Sequence, residues 1–329
     1  MQRTIVVVVS FLLILGSGNF AGAAWNVLVI ESYHADYVWD ASYKKALAEV
    51  LGPEYALSFF EMDTKRLPVD QHLRKADEAW QAYLSLRPDL VVLGDDAAMK
   101  YLAERFVGTT TPVVYLGINN NPRNYLSTNA VNFTGIMERP LLKRSVSYIE
   151  TLIPGTKKVL VLFDADLTAQ IVKKDSFEDK DSIVIGGIRL DIKLLGDLQS
   201  WHDTLASVPG QYDAVVVGLY QTIKDAEGRP VDPEDIVTWV SENSPVPPFA
   251  FWDFAVGPKR SIGGFVLCGR EMGRSAGELV KKILAEGVVP QDIRPIFNDN
   301  GQFLFSATQL QKWGMTLPDD VRRVAQIID

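Results

Sequence analysis

Carboxylates, amides and aromatic rings recur just beyond short apolar runs in this sequence, and that placement is its main chemical signal. Asp95 and Asp96 follow Leu90 to Leu93 and Gly94; Asn119 and Asn120 follow Pro112 to Leu116 and Gly117. Tyr33, His34, Tyr37 and Trp39 come after the run Trp25 to Ile30. Asp164 ends Val159 to Phe163, Tyr220 comes just after Ala214 to Val217, and Trp252 with Asp253 closes the run from Phe249. A carboxylate accepts from an amine or hydroxyl, and an asparagine both donates and accepts. A ring with a polar tip stacks and hydrogen-bonds at once. Together these twelve residues suit non-covalent capture of a small molecule with a hydrophobic face and a positive or neutral hydrogen-bonding group.

Each candidate also has a plainer reading. Asp95-Asp96 suits a helix N-cap, and Asn119-Asn120 suits a turn ahead of Pro122. Tyr37 and Trp39 read equally as cover for the next helix, His34 as a surface or capping residue, and Asp164 and Asp253 as caps. The pair Lys65-Arg66 reads as a solvated or salt-bridging patch and stays outside the candidate set.

Reaction chemistry finds little to work with. The sequence holds no G-x-S-x-G, no P-loop and no G-x-G-x-x-G after an apolar run. Asp95 and Asp253 offer the two carboxylates of a hydrolase, but so does any two-lobed protein with Asp at its strand ends. Three scattered His and one Cys give no metal-ligand spacing. The chain therefore reads as a non-enzyme without a metal or cofactor. Cys268, alone, forms no internal disulfide and reads as a small buried hydrophobe.

The elements that must position these groups alternate between strand and helix. Leu90 to Leu93, unbroken and apolar, suits a strand buried on both faces of a parallel sheet. The helix after it leads to the strand from Pro112, so the polar residues fall at strand carboxyl ends, the edge where ligands sit in open α/β sheets. Strands are expected at 25–30, 57–60, 90–93, 112–116 and 133–136, then at 159–163, 183–185, 214–217 and 249–252. Asp40 is expected to cap the first helix, and a helix from Asp70 is expected to bury Leu73, Ala76, Trp80, Tyr83 and Leu84. The alternation starts afresh near 159 with no Gly/Ser linker before it, and Gly263-Gly264 is placed to let the chain cross back.

Residues 1–23 read as a signal peptide: Arg3, the apolar run Ile5 to Leu15, and Ala21-Gly22-Ala23 as the cleavage site. The run is shorter than the roughly 20 residues of a membrane span, so the expected product is exported to the periplasm. A net charge of 33 − 41 = −8 argues against nucleic acid or anionic membrane surfaces as partners.

Read together, several stretches resemble one family. They are Tyr33-His34 … Trp39 with Ser42-Tyr43, Phe60 to Arg66, Asp95-Asp96-Ala97, Pro112 to Asn120, Phe133-Thr134-Gly135, Gly263-Gly264 with Gly273-Arg274, and Leu310 to Pro318. They are similar to the type I periplasmic substrate-binding proteins of the ABC-transporter class, in the branch related to extracellular sensor domains of bacterial receptors. The resemblance implies an α/β fold of two doubly wound, Rossmann-like lobes with parallel sheets joined by a three-strand hinge. The lobes are expected at 24–136 plus 264–295 and at 137–263 plus 296–329. It implies a monomer that closes on a small molecule and delivers it to the membrane permease of an ABC importer. Docking of the same form on a membrane sensor is the alternative, and a hydrolase is the third reading.

Overall fold

Runs of Val, Ile and Leu without polar interruption have no face to offer water, so they form central strands covered by helices on both sides. The computed structural model describes residues 25–298 and 300–329, and the expected signal peptide lies outside the described residues. In chain order, the first half runs β1 Trp25–Glu31, α1 Val38–Leu51, β2 Tyr55–Glu61, α2 Val69–Leu86, β3 Leu90–Gly94, α3 Asp95–Phe106, β4 Val113–Ile118 and β5 Phe133–Met137. The second runs α4 Leu142–Leu152, β6 Lys158–Phe163, α5 Leu167–Ser176, β7 Ser182–Ile185, β8 Ile188–Leu194, α6 Leu198–Ala206, β9 Ala214–Val217, α7 Pro233–Asn243 and β10 Pro248–Ala250. The tail holds β11 Gly263–Val266, α8 Gly269–Leu284, β12 Ile296–Phe297, β13 Gln302–Ser306, α9 Ala307–Lys312, α10 Asp319–Arg322 and β14 Gln326–Ile328.

These make two α/β lobes. The first is built on a parallel sheet of order β12-β5-β4-β3-β1-β2, the second on a sheet of order β10-β9-β6-β8-β7. Strands β3 and β9 are buried along their whole length. A third sheet, β11-β13-β14, gathers the chain after it leaves the second lobe. Ile296–Phe297 pairs with Ile136–Met137 at the edge of the first sheet, beyond the boundary expected at 295.

Four local expectations are corrected. Gly186-Gly187 does not end a lone strand; with φ of 58° and 85° the two glycines turn a hairpin between β7 and β8, so β7 runs antiparallel at the sheet edge. Asp40 does not cap α1, which starts two residues earlier with Tyr37 at the N-cap; its side chain is instead fully buried in the first turn. Helix α2 presents His72, Ala76 and Ala79 to the sheet, and leaves Leu73 and Leu84 exposed. Small residues let that helix lie close, and the larger leucines end up on its outer side. The strand expected to reach Trp252 stops at Ala250.

Helix α8 crosses back to pack on α1. Gly269, Gly273 and Gly277 stand four residues apart on the face it presents. A Cβ at Gly273 would lie 2.0 Å from the Tyr43 carbonyl oxygen, so only glycine allows this approach.

Candidate functional site

The loops after β1, β2 and β3 are stitched together before any ligand enters the argument. Ser32 Oγ donates to Gly94 O (2.6 Å) and accepts from Ala98 N (2.7 Å), and Thr64 Oγ1 donates to Ser32 O (2.8 Å). Asp63 N donates to Tyr33 O at 2.8 Å. This web fixes Tyr33, Lys65 and Asp95 relative to one another at the carboxyl edge of the first sheet. Asp95 holds a left-handed φ of 67°, uncommon outside glycine, and this turns its carboxyl toward Gly117. A Cβ at Gly117 would meet Asp95 Oδ1 at 2.8 Å, which is why that strand end carries glycine.

The strand ends of the second lobe face this edge. Tyr33 OH lies 3.1 Å from Thr168 Oγ1, and the rings of Tyr37 and Trp39 pack on Phe254 at centroid distances of 6.0 and 6.4 Å. Trp252 Nε1 donates to Glu138 on the chain's first crossing between lobes. Between the lobes lies a small chamber lined by Tyr33, Tyr37, Trp39, Lys65, Asp95, Asn119, Glu138, Thr168, Leu219, Trp252 and Phe254. Its free volume is about 10 Å³, close to what one water needs. On one flank it shares Tyr37, Lys65 and Phe254 with a pocket of about 500 Å³. On the other, past Tyr33 and Thr168, lies a smaller one of about 220 Å³.

The candidate residues divide accordingly. Tyr33, Tyr37, Trp39, Asp95, Asn119 and Trp252 meet in the chamber; His34 and Tyr220 join Tyr37 in the larger flanking pocket. The other four have structural duties or lie apart. Asp96 accepts from Asn119 N (2.9 Å), Asn120 N (3.0 Å) and Tyr125 OH (3.0 Å), pinning the start of α3 to the loop after β4. Asn120 Oδ1 accepts from Asn121 N and Asn124 Nδ2 within its own turn. Asp164 accepts from Asp166 N and Thr222 N. Asp253 is buried beside Cys268, outside the chamber.

Lys65 departs from the solvated half of its sequence reading, while its salt bridge to Asp166 fits the other half. Arg66 is the half-exposed, salt-bridging residue expected, 2.7 Å from Asp63, but the Lys65 side chain is only 3% exposed. Its ammonium lies 4.4 Å from the centre of the Tyr33 ring and 5.4 Å from that of Tyr37. The nearest acid, Asp166, is 3.8 Å away, and the ammonium has no hydrogen-bond partner. Glu138, Thr168, Leu219 and Phe254 were likewise missed. Glu138 carried no signal, because nothing in Met137-Glu138-Arg139 marks a crossover.

Burial dominates the electrostatics. It pushes the carboxyls of Asp95 and Asp40 well above the usual carboxylate range, with repulsion from Asp40 adding to it at Asp95 and from Glu31 at Asp40. Glu138 is raised to about 8, again by burial first, with the Trp252 hydrogen bond working against it. The His34 imidazole is pushed down by burial and by Arg66. Asp95 Oδ2 and Asn119 Oδ1 are buried without partners, as is Lys65 Nζ. The Trp39 indole nitrogen is unpartnered too, so the chamber wall holds two free oxygens and two free nitrogen donors, one of them cationic. Among the described residues no group of three or more His, Cys, Asp or Glu is placed to hold a metal ion, and no helix is long and apolar enough to cross a membrane.

Two facing lobes with unpartnered polar atoms between them invite comparison with known binding proteins. The profile of the family described as ABC transporter substrate binding protein matches residues 75–328. The chain belongs to that family. Its members bind substrates, and the two-lobed architecture of this substrate-binding protein recurs among solved structures. An ABC domain from Streptococcus pneumonia in complex with L-Trp is 18% identical, with 92% of this chain and 99% of that one covered at a TM-score of 0.66. A substrate binding protein with adhesive properties from Clostridium difficile, in its ligand-free open form, is 13% identical over 93% and 99% of the two chains, with a TM-score of 0.65. An ABC transporter solute binding protein from Bradyrhizobium with bound Bis-Tris is 13% identical over 81% and 79%, with a TM-score of 0.51. No curated protein matches this sequence.

Proposed function

We propose that this chain is an exported receptor that captures a small solute between its lobes and delivers it to the permease of an ABC importer, without chemical change to the solute. The observation that carries the reading is the set of buried, unpartnered atoms on the first lobe's wall of the chamber, Lys65 Nζ, Asp95 Oδ2 and Asn119 Oδ1, opposite Trp252 and Phe254 of the second lobe. Buried polar groups are costly unless paired, and a solute presenting an acceptor to Lys65 and donors to Asp95 and Asn119 would pair them. Tyr33, Tyr37, Trp39 and Trp252 supply the rings such a solute would lie against. Capture would act by stabilising a closed arrangement of the lobes. The moving bodies are taken from the expected 24–136 plus 264–295 and 137–263 plus 296–329, adjusted so that β12 moves with the first sheet and β11 with its partner β13. The L-Trp held by the pneumococcal protein lends support to an amino-acid-sized solute.

A thermal-shift screen of the purified protein against amino acids, nucleosides, sugars and aromatic acids tests this reading. A true solute at 100 times its dissociation constant adds about 2.7 kcal/mol and is recovered unchanged. Turnover of the hit would make the chain an enzyme, and no shift with any class would remove the receptor reading.

A further inference from the structure

We propose that the bulk of the solute sits in the flanking pocket rather than in the central chamber, and that the solute is a flat, apolar carboxylate whose anionic end meets Lys65. The inference rests on the receptor reading and narrows its ligand class. Size gives the first argument. The chamber has about 10 Å³ of free space and the pocket beside it about 500 Å³, within the range of roughly 300–1,000 Å³ typical of small-molecule sites. Both lobes wall the pocket: Tyr37 and Val38 from the first, Tyr220, Val231 and Phe254 from the second. A guest there would therefore bridge the two bodies.

Charge gives the second argument. His34 keeps a free Nδ1, but burial and Arg66 favour its neutral form. The charged groups of the pocket other than Lys65 have partners or duties. Arg66 Nε donates to Asp63 and its guanidinium lies 3.8 Å from Asp36. Arg260 donates to Glu234 and to the Phe254 carbonyl. Asp232 caps α7 by accepting from Glu234 N at 2.9 Å. Lys65 remains, buried and without a hydrogen bond, at the junction of pocket and chamber. The carboxyls of Asp40, Asp95 and Asp164 lie near it, but burial favours their neutral forms. Asp166, 3.8 Å away, is the one carboxylate paired with this ammonium, and it is too far to accept a hydrogen bond from it. A solute carboxylate would supply that bond while its apolar body faces Tyr37 and Phe254. An ammonium-bearing solute in the same pocket would instead face Lys65 as a like charge.

Calorimetric titration with three compounds sharing one ring separates the possibilities: indole-3-propionate, tryptophan and tryptamine. Wild-type protein is expected to bind indole-3-propionate and to show at least tenfold weaker binding of tryptamine. Lys65→Met is expected to lose at least tenfold in affinity for the acid. Val231→Trp fills the flanking pocket without entering the chamber, and a comparable loss is expected there even should Lys65→Met fold poorly. Failure of the wild type to bind indole-3-propionate overturns the proposal. So does tryptamine or tryptophan binding that survives Val231→Trp, which would seat the ligand in the chamber and leave the receptor reading intact. Only a blank across the whole solute screen would remove both.

Discussion

The Tyr33 hydroxyl and the Thr168 Oγ1 lie 3.1 Å apart, one from each lobe, with both side chains buried. The lobes therefore meet through their own residues across the seam. Tyr33→Phe removes the hydroxyl and leaves the ring on Tyr37, 5.0 Å away in an edge-on contact. One buried hydrogen bond contributes about 1 kcal/mol, enough to shift a two-state opening equilibrium about fivefold toward the open form. Small-angle scattering of the ligand-free variant is expected to give a larger radius of gyration than the wild type. An unchanged radius in both Tyr33→Phe and Thr168→Val would show that this contact does not hold the lobes.

Asp96 looked like a ligand contact in the sequence, but its oxygens accept from Asn119 N, Asn120 N and Tyr125 OH. Asp96→Ala strands those donors in a buried place, at about 1–3 kcal/mol. Chemical denaturation is expected to show a lower midpoint with an unchanged slope. Trp39→Ala tests the opposite case, because its indole nitrogen is buried without a partner and its ring faces Phe254 at the chamber. Its loss is expected to weaken solute binding as well as stability, whereas Asp96→Ala weakens stability first.

The alternation of strands and helices was legible because β3, β4, β6 and β9 are uninterrupted apolar runs, and such runs have few alternatives. The carboxyl-edge rule then located Tyr33, Asp95, Asn119 and Trp252 without knowledge of the fold. Lys65 was not legible. A lysine in a loop is solvated far more often than buried, and only the web joining Ser32, Thr64 and Gly94 turns its side chain inward. Asp96 and Asp164 share the residue type and position of Asp95, yet local backbone donors reach their oxygens. That difference depends on loop geometry at the level of single ångströms, which composition and spacing do not encode. Leu73 and Leu84 misled for a related reason: the periodicity showed a helix, but neighbouring alanines decided which face lay against the sheet.

Glu138 makes stability depend on pH in an unusual direction. Burial raises its carboxyl from an ordinary 4.5 to about 8 in the folded chain, with Asp96 and Asp253 adding repulsion and Arg139 and the Trp252 indole opposing. The folded state then binds the proton more tightly than the unfolded one, so stability is full below about 4.5 and falls as pH rises toward about 8. One such proton gives a slope of about 1.4 kcal/mol per pH unit. Asp95, Asp40 and Asp164 are shifted the same way. The melting temperature of the ligand-free protein is expected to be higher at pH 5.5 than at pH 8, and Glu138→Gln is expected to flatten that difference while keeping an acceptor for Trp252. A melting temperature that rises over this interval would contradict the burial of a neutral Glu138.

Helix α8 reaches α1 only because its contact face is glycine. A Cβ at Gly273 would stand 2.0 Å from the Tyr43 carbonyl oxygen, and one at Gly277 would stand 2.7 Å from Val50 Cγ1. The first clash is with backbone and cannot be relieved by a rotamer, whereas the second can yield through the valine. Overpacking of this kind costs typically 1–3 kcal/mol, so Gly273→Ala is expected to destabilise the protein by at least that much and Gly277→Ala by less. Gly196→Ala serves as the control, since its Cβ would make an ordinary 3.4 Å contact with Ala165. The effect should reach the site as well, because α1 carries Trp39 and follows directly on Tyr37 at its N-cap. Displacing α1 away from α8 moves those rings relative to Phe254, so Gly273→Ala is expected to lower solute affinity along with the unfolding midpoint. A variant with wild-type stability would mean that the two helices can separate freely, and the close approach of their backbones would then have no energetic role.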